Sequence, residues 1–447
     1  AGSVTATVTL KDNESGVNAT ASKWVYNTNS GNIGINESSY NNTFSSNGQT
    51  IQLKATTAGT YYLHVLTVDN AGNKKETISS TVTVKAQYDA NMPYDGSYYD
   101  KVGVNTPNLG EGMTAIKWNG NSWEETKGND VDWYDYTAKK WANAKTSDGS
   151  MWVWIPRYAY SIISGYHSSS AGNIDIEFMK GLTNETSTGR KSFDNVSGQG
   201  KWNVHPAFNY GQEVSGLWVA KFEASNSGGK IKVEPGVQSW RSISVNDIYT
   251  NCLNYNKTLN SHMMKNDEWG AVAYLSKSKY GKNAEVTIND NSSYYTGGGS
   301  GNAYVTNVKQ STTGTVHGVY DMSGGSEEYV AAFLNNGNNA LTNNGSSLVN
   351  GDAKTRNVYS KGDTDNQSNN YSANSEKYGD AVYETSTSGS GSKSWYGDSS
   401  YFSNTSGPFF RRGGSYSNGV TAGVFRFYSA NGGSNSYYSF RPVLVAL

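Results

Sequence analysis

The residues with catalytic potential in this chain are few and poorly spaced for chemistry. Cys252 is the sole cysteine, so it can form neither an internal disulfide nor a multi-cysteine zinc site, and the redox compartment stays open. The five histidines, His64, His167, His205, His262 and His317, lie far apart. Each reads as a surface or packing residue, although distant residues can converge in space. Glu327 and Glu328 would suit paired acid–base work only if both faced one substrate, and neighbours on one segment usually point apart. Asp363, Asp365 and Asn366 in "GDTDNQSNN" supply oxygen ligands that could hold a structural Ca²⁺, but the spacing does not complete an EF-hand loop. A solvated loop is the simpler reading. No other cofactor is implied. The distinctive tract is Ser415–Phe440, "SYSNGVTAGVFRFYSANGGSNSYYSF", rich in Tyr, Ser and Asn between small and apolar residues. Those residue types suit recognition, because tyrosine gives large contact area at low entropic cost and Ser and Asn adapt their hydrogen bonds.

Composition agrees with a folded binding protein. The chain has 447 residues, with 33 Tyr and 50 Gly, and is 13% aromatic but only 16% charged. That aromatic content argues against disorder. With 36 basic and 37 acidic residues and no basic run, nucleic-acid binding is excluded as the main activity. No apolar stretch reaches the ~18 residues of a membrane helix. A start at Ala1 leaves room for a signal or anchor upstream.

Three regions must position these residues. Residues 1–86 read as a β-sandwich: "SVTATVTL", "TIQLKAT", "TYYLHVLTVDNAGNKK" and "STVTVKA" carry strand patterning, with a turn at Asp69–Asn73. Residues 87–149 read as a linker, "QYDANMP", followed by an aromatic-rich β subregion packed on the next domain. Its Trp118, Trp123, Trp133 and Trp141 are expected to be core. Residues 150–447 alternate Gly/Asn/Ser loops with apolar-aromatic islands. Two helices are predicted, one over Val245–Leu259 with Ile248, Cys252, Leu253 and Tyr255 near one face. The other, in "NDEWGAVAYLSKSKYG", has Asn266 or Asp267 as N-cap, Trp269, Val272, Ala273 and Leu275 on one face, and Gly281 as stop. Cys252 is expected to act as a small buried hydrophobe. Helices among many short strands make this region α+β. The segments Asn335–Gly351 and Lys361–Lys393 read as long loops flanking or capping a recognition surface.

The segment Gly59–Asn73, "GTYYLHVLTVDNAGN", resembles the bacterial immunoglobulin-like repeats of surface proteins, which implies a spacer or stalk role. The islands from residue 150 onward resemble, in order, the formylglycine-generating-enzyme-like branch of the C-type lectin fold. "MWVWIPRYAY" (Met151–Tyr160) is similar to its opening strand, and "LWVAKFEASN" (Leu217–Asn226) to the strand before its first helix. "HMMKNDEWGAVAYL" (His262–Leu275) is similar to the family's arginine-leucine-proline-threonine-glutamate-alanine-glutamate-tryptophan helix, keeping Glu268–Trp269. "GVYDMSGGSEEYV" (Gly318–Val330) resembles its glycine-leucine-tyrosine-aspartate-methionine motif, and "RRGGSYSN…SFRPVLVAL" (Arg411–Leu447) its closing elements, with Ser439 in place of a glycine. The resemblance implies an α+β C-type lectin fold preceded by an all-β immunoglobulin-like sandwich.

The enzymatic branches of that family need a cysteine pair for copper or a histidine cluster for iron. This chain has one cysteine and scattered histidines, so no enzyme is expected. The variable segment 411–447 instead resembles those of proteins diversified by retroelements, in which template adenines are mutagenised. Asparagine codons then yield Tyr, His or Asp, or Ser, Thr or Ile, or Gly, Ala, Arg and Phe. The scaffold of that segment is expected to be Gly413, Gly414, Gly419, Ala422, Gly423, Val424, Phe425, Phe427, Phe440, Arg441, Pro442 and Val443. The exposed recognition face is expected to be Tyr416, Ser417, Asn418, Thr421, Arg426, Tyr428, Ser429, Asn431, Ser434, Ser436, Tyr437 and Tyr438, with Arg426 pointing outward from a strand.

The resemblance implies an extracellular, cell-surface or virion-associated adhesin or receptor-binding protein, of phage or prophage type. Its partner would be a protein or glycan on a cell or phage surface, bound through multivalent display. Alternative roles are a structural subunit of a pilus or phage tail, or an oxidase relative with a rebuilt site.

Overall fold

The computed structural model describes residues 2–55, 59–84 and 102–447. The chain divides into two compact units, one at the N-terminus and a larger one that takes in 102–447. The linker expected at 87–93 lies outside the described residues.

In the N-terminal unit, β1 (Gly2–Val8) pairs antiparallel with β4 (Gln49–Ala55). A second sheet runs in the order β3 (Asn42–Thr43), β2 (Lys23–Asn27), β5 (Gly59–Val68), β6 (Lys74–Ile78), with β7 (Val82–Val84) also on β5. The alternation in "YLHVLTV" sends successive side chains to opposite faces. Leu63 and Val65 join Ile51, Leu53, Phe44 and Leu10 in one core, while Leu66 and Val68 join Val25 and Tyr40 in another. The expected turn after β5 is present: Asp69 accepts from the Asn73 backbone N–H and side-chain amide, both at 2.7 Å.

The larger unit is mixed, with many short strands and four α-helices among the described residues. Its largest sheet is antiparallel, in the order β18 (His262–Met263), β24 (Pro442–Leu444), β15 (Gly216–Ala220), β11 (Met151–Pro156), β10 (Asn143–Thr146), β8 (Met113–Trp118), β9 (Trp123–Glu125). The aromatic subregion before residue 150 is therefore an integral part of the larger unit, contributing three strands to one sheet rather than packing beside it. Trp133 and Trp141 are fully buried, whereas Trp118 and Trp123 are half-buried. A buried indole needs an acceptor for its N–H. Trp133 donates to Asn143 O, Trp141 to Tyr280 O, Trp154 to Asn105 O and Trp218 to Asn108 O. The smaller elements are a sheet of β13 (Ile174–Phe178), β12 (Tyr158–Ile162) and β14 (Asn203–Val204), and a hairpin of β16 (Ser225–Ser227) and β17 (Lys230–Lys232).

Both predicted helices form. α1 (Val245–Tyr255) is capped by Ser244, buries Ile248 and Cys252, and ends four residues before the predicted Leu259. Leu253 and Tyr255 are half-buried. Burial pushes the Cys252 thiol well above its ordinary range, as befits a hydrophobe. α2 (Asn266–Lys277) is buried on every side, so its amphipathic pattern is weak, and its N-cap is Lys265 rather than Asn266 or Asp267. The cause is Glu268, whose carboxylate turns back to accept from the Lys265 N–H at 2.8 Å and from His262 Nε2 at 2.8 Å. The segments read as loops contain two more helices, α3 (Asn339–Val349) and α4 (Gln367–Ser372). Each starts at an asparagine cap, Asn338 or Asn366, within Asn/Ser-rich sequence of low helix propensity.

The last sheet carries the C-terminal segment. Its order is β20 (Asn357–Ser360), β19 (Glu327–Asn335), β21 (Phe409–Gly413), β22 (Gly423–Ala430), and β23 (Tyr438–Phe440) pairs in parallel with the start of β19. Arg441, between β23 and β24, is wholly buried. It grips Glu328 through Nε (2.8 Å) and Nη2 (2.5 Å), and donates also to Ala220 O and Tyr320 O. Removing one partner of a buried ion pair strands the other charge. Arg441→Met should therefore destabilise this unit by about 3–5 kcal/mol, measured as a lowered denaturant midpoint at unchanged slope.

Candidate recognition surface

Within 411–447 burial matches the expected scaffold more closely than the expected face. Every expected scaffold residue is buried except Gly419. Gly419 lies in an exposed turn at φ 54° and ψ −136°, a conformation that side chains disfavour. Gly423 is required for a different reason: a Cβ there would stand 2.1 Å from the buried Asp398 carboxylate. That carboxylate accepts the Phe425 N–H at 3.0 Å.

Of the expected face residues, Ser417, Asn431, Ser434, Ser436 and Tyr437 are exposed, Tyr437 by 44%. Tyr416, Asn418, Thr421, Tyr428, Ser429 and Tyr438 are half-buried. Arg426 does not point outward into solvent. It is 4% exposed, and its guanidinium donates to Glu327 Oε1 at 2.7 Å and to Thr421 O at 3.0 Å. Strand alternation does place Arg426 on the same side as Tyr428. The buried Glu327 carboxylate draws it down beneath that ring, with the guanidinium carbon 5.0 Å from the centroid.

Glu327 also pairs with Arg411. The Arg411 guanidinium lies 4.1 Å from the Tyr438 ring centroid and 4.9 Å from that of Tyr428. Burial lowers the pKa of both arginines. An Arg–Glu–Arg cluster thus backs the tyrosines, while Glu328 serves Arg441 alone. The two adjacent glutamates take separate partners, as their sequence neighbourhood suggested.

Residues outside the segment complete the surface. Tyr401 packs 4.5 Å from Tyr428, and Tyr294 packs edge-on to Tyr416 at 4.9 Å. Arg241 stacks 3.8 Å over Tyr294. The segment 399–401 hydrogen-bonds along β22, with Phe427 N–H donating to Ser399 O and Tyr401 N–H to Phe427 O. α3 approaches from another side, where Asn344 donates to Asn431 O. Of the two segments read as long loops, Asn335–Gly351 reaches this region through Asn344. Tyr294, Tyr401 and Arg241 carry no periodic signal that sequence reading could have used, and Val420, 84% exposed at the tip of the turn, was not expected on the face.

Apart from the exposed Asp363, the remaining candidates for chemistry are held in structural contacts. Asp365 accepts from Asn370 (2.7 Å) and Asn336 (3.0 Å), and the Asn366 side chain caps α4. Among the described residues no group of three or more His, Cys, Asp or Glu is arranged to hold a metal. Each histidine has its own setting: His64 pairs with Glu76, His262 with Glu268, and His167 stacks on Tyr383. Burial holds His205 and His317 down to about 3. A cleft of about 410 Å³ between α1 and residues 351–355 contains none of the face residues.

Glu384 is a fully buried acid held among tyrosines. It accepts from Tyr160 (2.9 Å), Tyr274 (2.8 Å) and the Gly379 N–H (2.7 Å). Burial, with a smaller push from Asp380, raises its carboxyl to about 7. The folded state therefore holds this proton more tightly than the unfolded chain. Stability present below pH ~4.5 is lost as pH rises to about 7, by on the order of 3 kcal/mol. Glu384→Gln should flatten that decline in denaturant titrations run from pH 4.5 to 8; an unchanged slope would show that Glu384 is not its source.

No protein-family model matches the chain, and no curated protein matches it.

Proposed function

We propose that this is a binding protein whose C-terminal segment forms the recognition surface. In this reading 102–447 adopts the C-type lectin fold of the formylglycine-generating-enzyme-like branch, and the N-terminal unit is an immunoglobulin-like spacer. The segment is diversified by a retroelement, and the protein acts at a cell or virion surface on a protein or glycan, without enzymatic turnover.

One observation carries the reading. In a single stretch of chain most apolar, glycine and arginine positions are buried, Gly419 and Val420 being exposed, while Tyr416, Ser417, Ser436, Tyr437 and Tyr438 reach the surface wholly or in part beside one another. The buried set supplies stability independently of the exposed set, the arrangement needed if the exposed residues are to vary while the fold stays fixed.

Three outcomes test it. Deep sequencing of the 3′ coding end across a growing population should find substitutions concentrated at adenine-matched codons for Tyr416, Ser417, Tyr428 and Tyr437. An invariant end would remove diversification from the proposal. Tyr437→Ala should weaken ligand binding about tenfold or more with an unchanged melting temperature. Arg426→Ala should instead destabilise the fold by about 3 kcal/mol, leaving Glu327 with one partner.

A further inference from the structure

Arg241 and Tyr294 come from outside the C-terminal segment, yet they contact it directly. Tyr294 has φ 58°, a left-handed conformation that is costly for a bulky side chain. Its backbone is fixed there by two hydrogen bonds, from its N–H to Asn291 O (2.9 Å) and from the Ser239 N–H to its carbonyl (3.0 Å). The conformation directs the ring between Tyr416 and Tyr437, whose centroids lie 4.9 and 6.1 Å away. Arg241 covers the ring and donates from Nη1 to Ser436 O at 2.6 Å. The pair is thus bonded to the loop that carries Ser434, Ser436 and Tyr437.

The charge of this surface is unbalanced. Arg241, Arg411 and Arg426 contact the rings of Tyr294, Tyr428 and Tyr438, and Glu327 is shared by Arg411 and Arg426. Among the described residues Arg241 has no carboxylate in ion-pair range. Even with the buried Asp398 carboxylate counted beside Glu327, three guanidinium groups leave a positive excess. The chain as a whole has a net charge of −1, so the positive excess is local. A guanidinium over a phenol ring withdraws electron density and favours acceptors at the hydroxyl. Arg241 takes a face of Tyr294, and the tyrosines meet edge to face at 88° and 71°. That packing covers ring faces with a guanidinium and neighbouring rings, which leaves less flat aromatic surface for stacking a sugar than for contact with protein side chains.

Resting on the reading of the C-terminal segment as the recognition surface, we infer that Arg241 and Tyr294 form a fixed part of that surface, and that it docks a protein segment bearing carboxylate side chains. Residues 416 and 437 would then vary around a constant cationic anchor.

The test uses the full chain and immobilised Asp/Glu-rich peptides, against the same peptides with Asn/Gln substituted, alongside an array of sialylated and sulfated glycans. The acidic peptides should bind about tenfold tighter than their amide counterparts, with the preference shrinking as salt rises. Arg241→Gln and Tyr294→Ala should each reduce that binding about fivefold or more, at unchanged melting temperature. Tyr294→Phe, which keeps the ring, separates loss of the hydroxyl from loss of packing. Equal binding to acidic and amide peptides, binding to glycans alone, no binding, or indifference to both Arg241→Gln and Tyr294→Ala would each overturn the inference. The reading beneath it fails separately, if binding of any probe survives Tyr416→Ala and Tyr437→Ala undiminished.

Discussion

The bidentate grip of Arg441 on Glu328 is the contact on which the larger unit depends. Its guanidinium reaches β19 through Glu328, the end of β15 through Ala220 and the preceding loop through Tyr320. One side chain thereby fixes the chain between β23 and β24 to the sheet holding the first strands of the unit. Glu223 and Asp321 are buried nearby, and burial raises both of their carboxyls. Without a cation at this position the interior would hold acids with no countercharge, a cost that desolvation makes steep. Hydrophobic packing alone would give a core here; the ion pair also dictates which strands meet.

The same logic recurs one residue away with a different result. Glu327 sits on the neighbouring position of β19 and holds Arg411 and Arg426 below the tyrosines. Arginine forks held by a carboxylate lose little further freedom when a partner arrives, and the rings above them are already packed. A surface built this way is pre-organised, which lowers the ordering cost of association. Shape is set from below, and contact chemistry is left to the side chains above.

How legible this was in the sequence depended on the length scale of the signal. The N-terminal strands were readable because alternation is local: "YLHVLTV" fixes its own faces. α1 was readable from the spacing of Ile248 and Cys252. α2 was found, but its N-cap was misplaced because Glu268 caps by reaching back from the third helical position. α3 and α4 were missed, since Asn/Ser-rich stretches favour turns unless tertiary contacts hold them as helix. In the C-terminal segment the buried scaffold followed from residue type except at Gly419, whereas on the expected face Arg426 is buried and six residues are half-buried, and Val420 is exposed. Arg426 failed for a clear reason: the carboxylate that buries it lies 99 residues away in the chain. Tyr294 and Arg241 failed likewise, because nothing near them in sequence marks proximity to Tyr416 or Ser436.

The hydrogen bonds that residues 399–401 make along β22 bear on a hazard common to sheet margins. An unpaired strand at a sheet margin is a template for other chains, and random substitution nearby can make it sticky. Here the backbone of Phe427 is bonded on that margin to Ser399 and Tyr401, whatever side chains the adjacent positions carry. Sequence variation at Tyr428 or Ser429 changes what the surface presents without opening the main chain to self-association. The margin of β22 can therefore carry side chains that would promote aggregation on a bare strand.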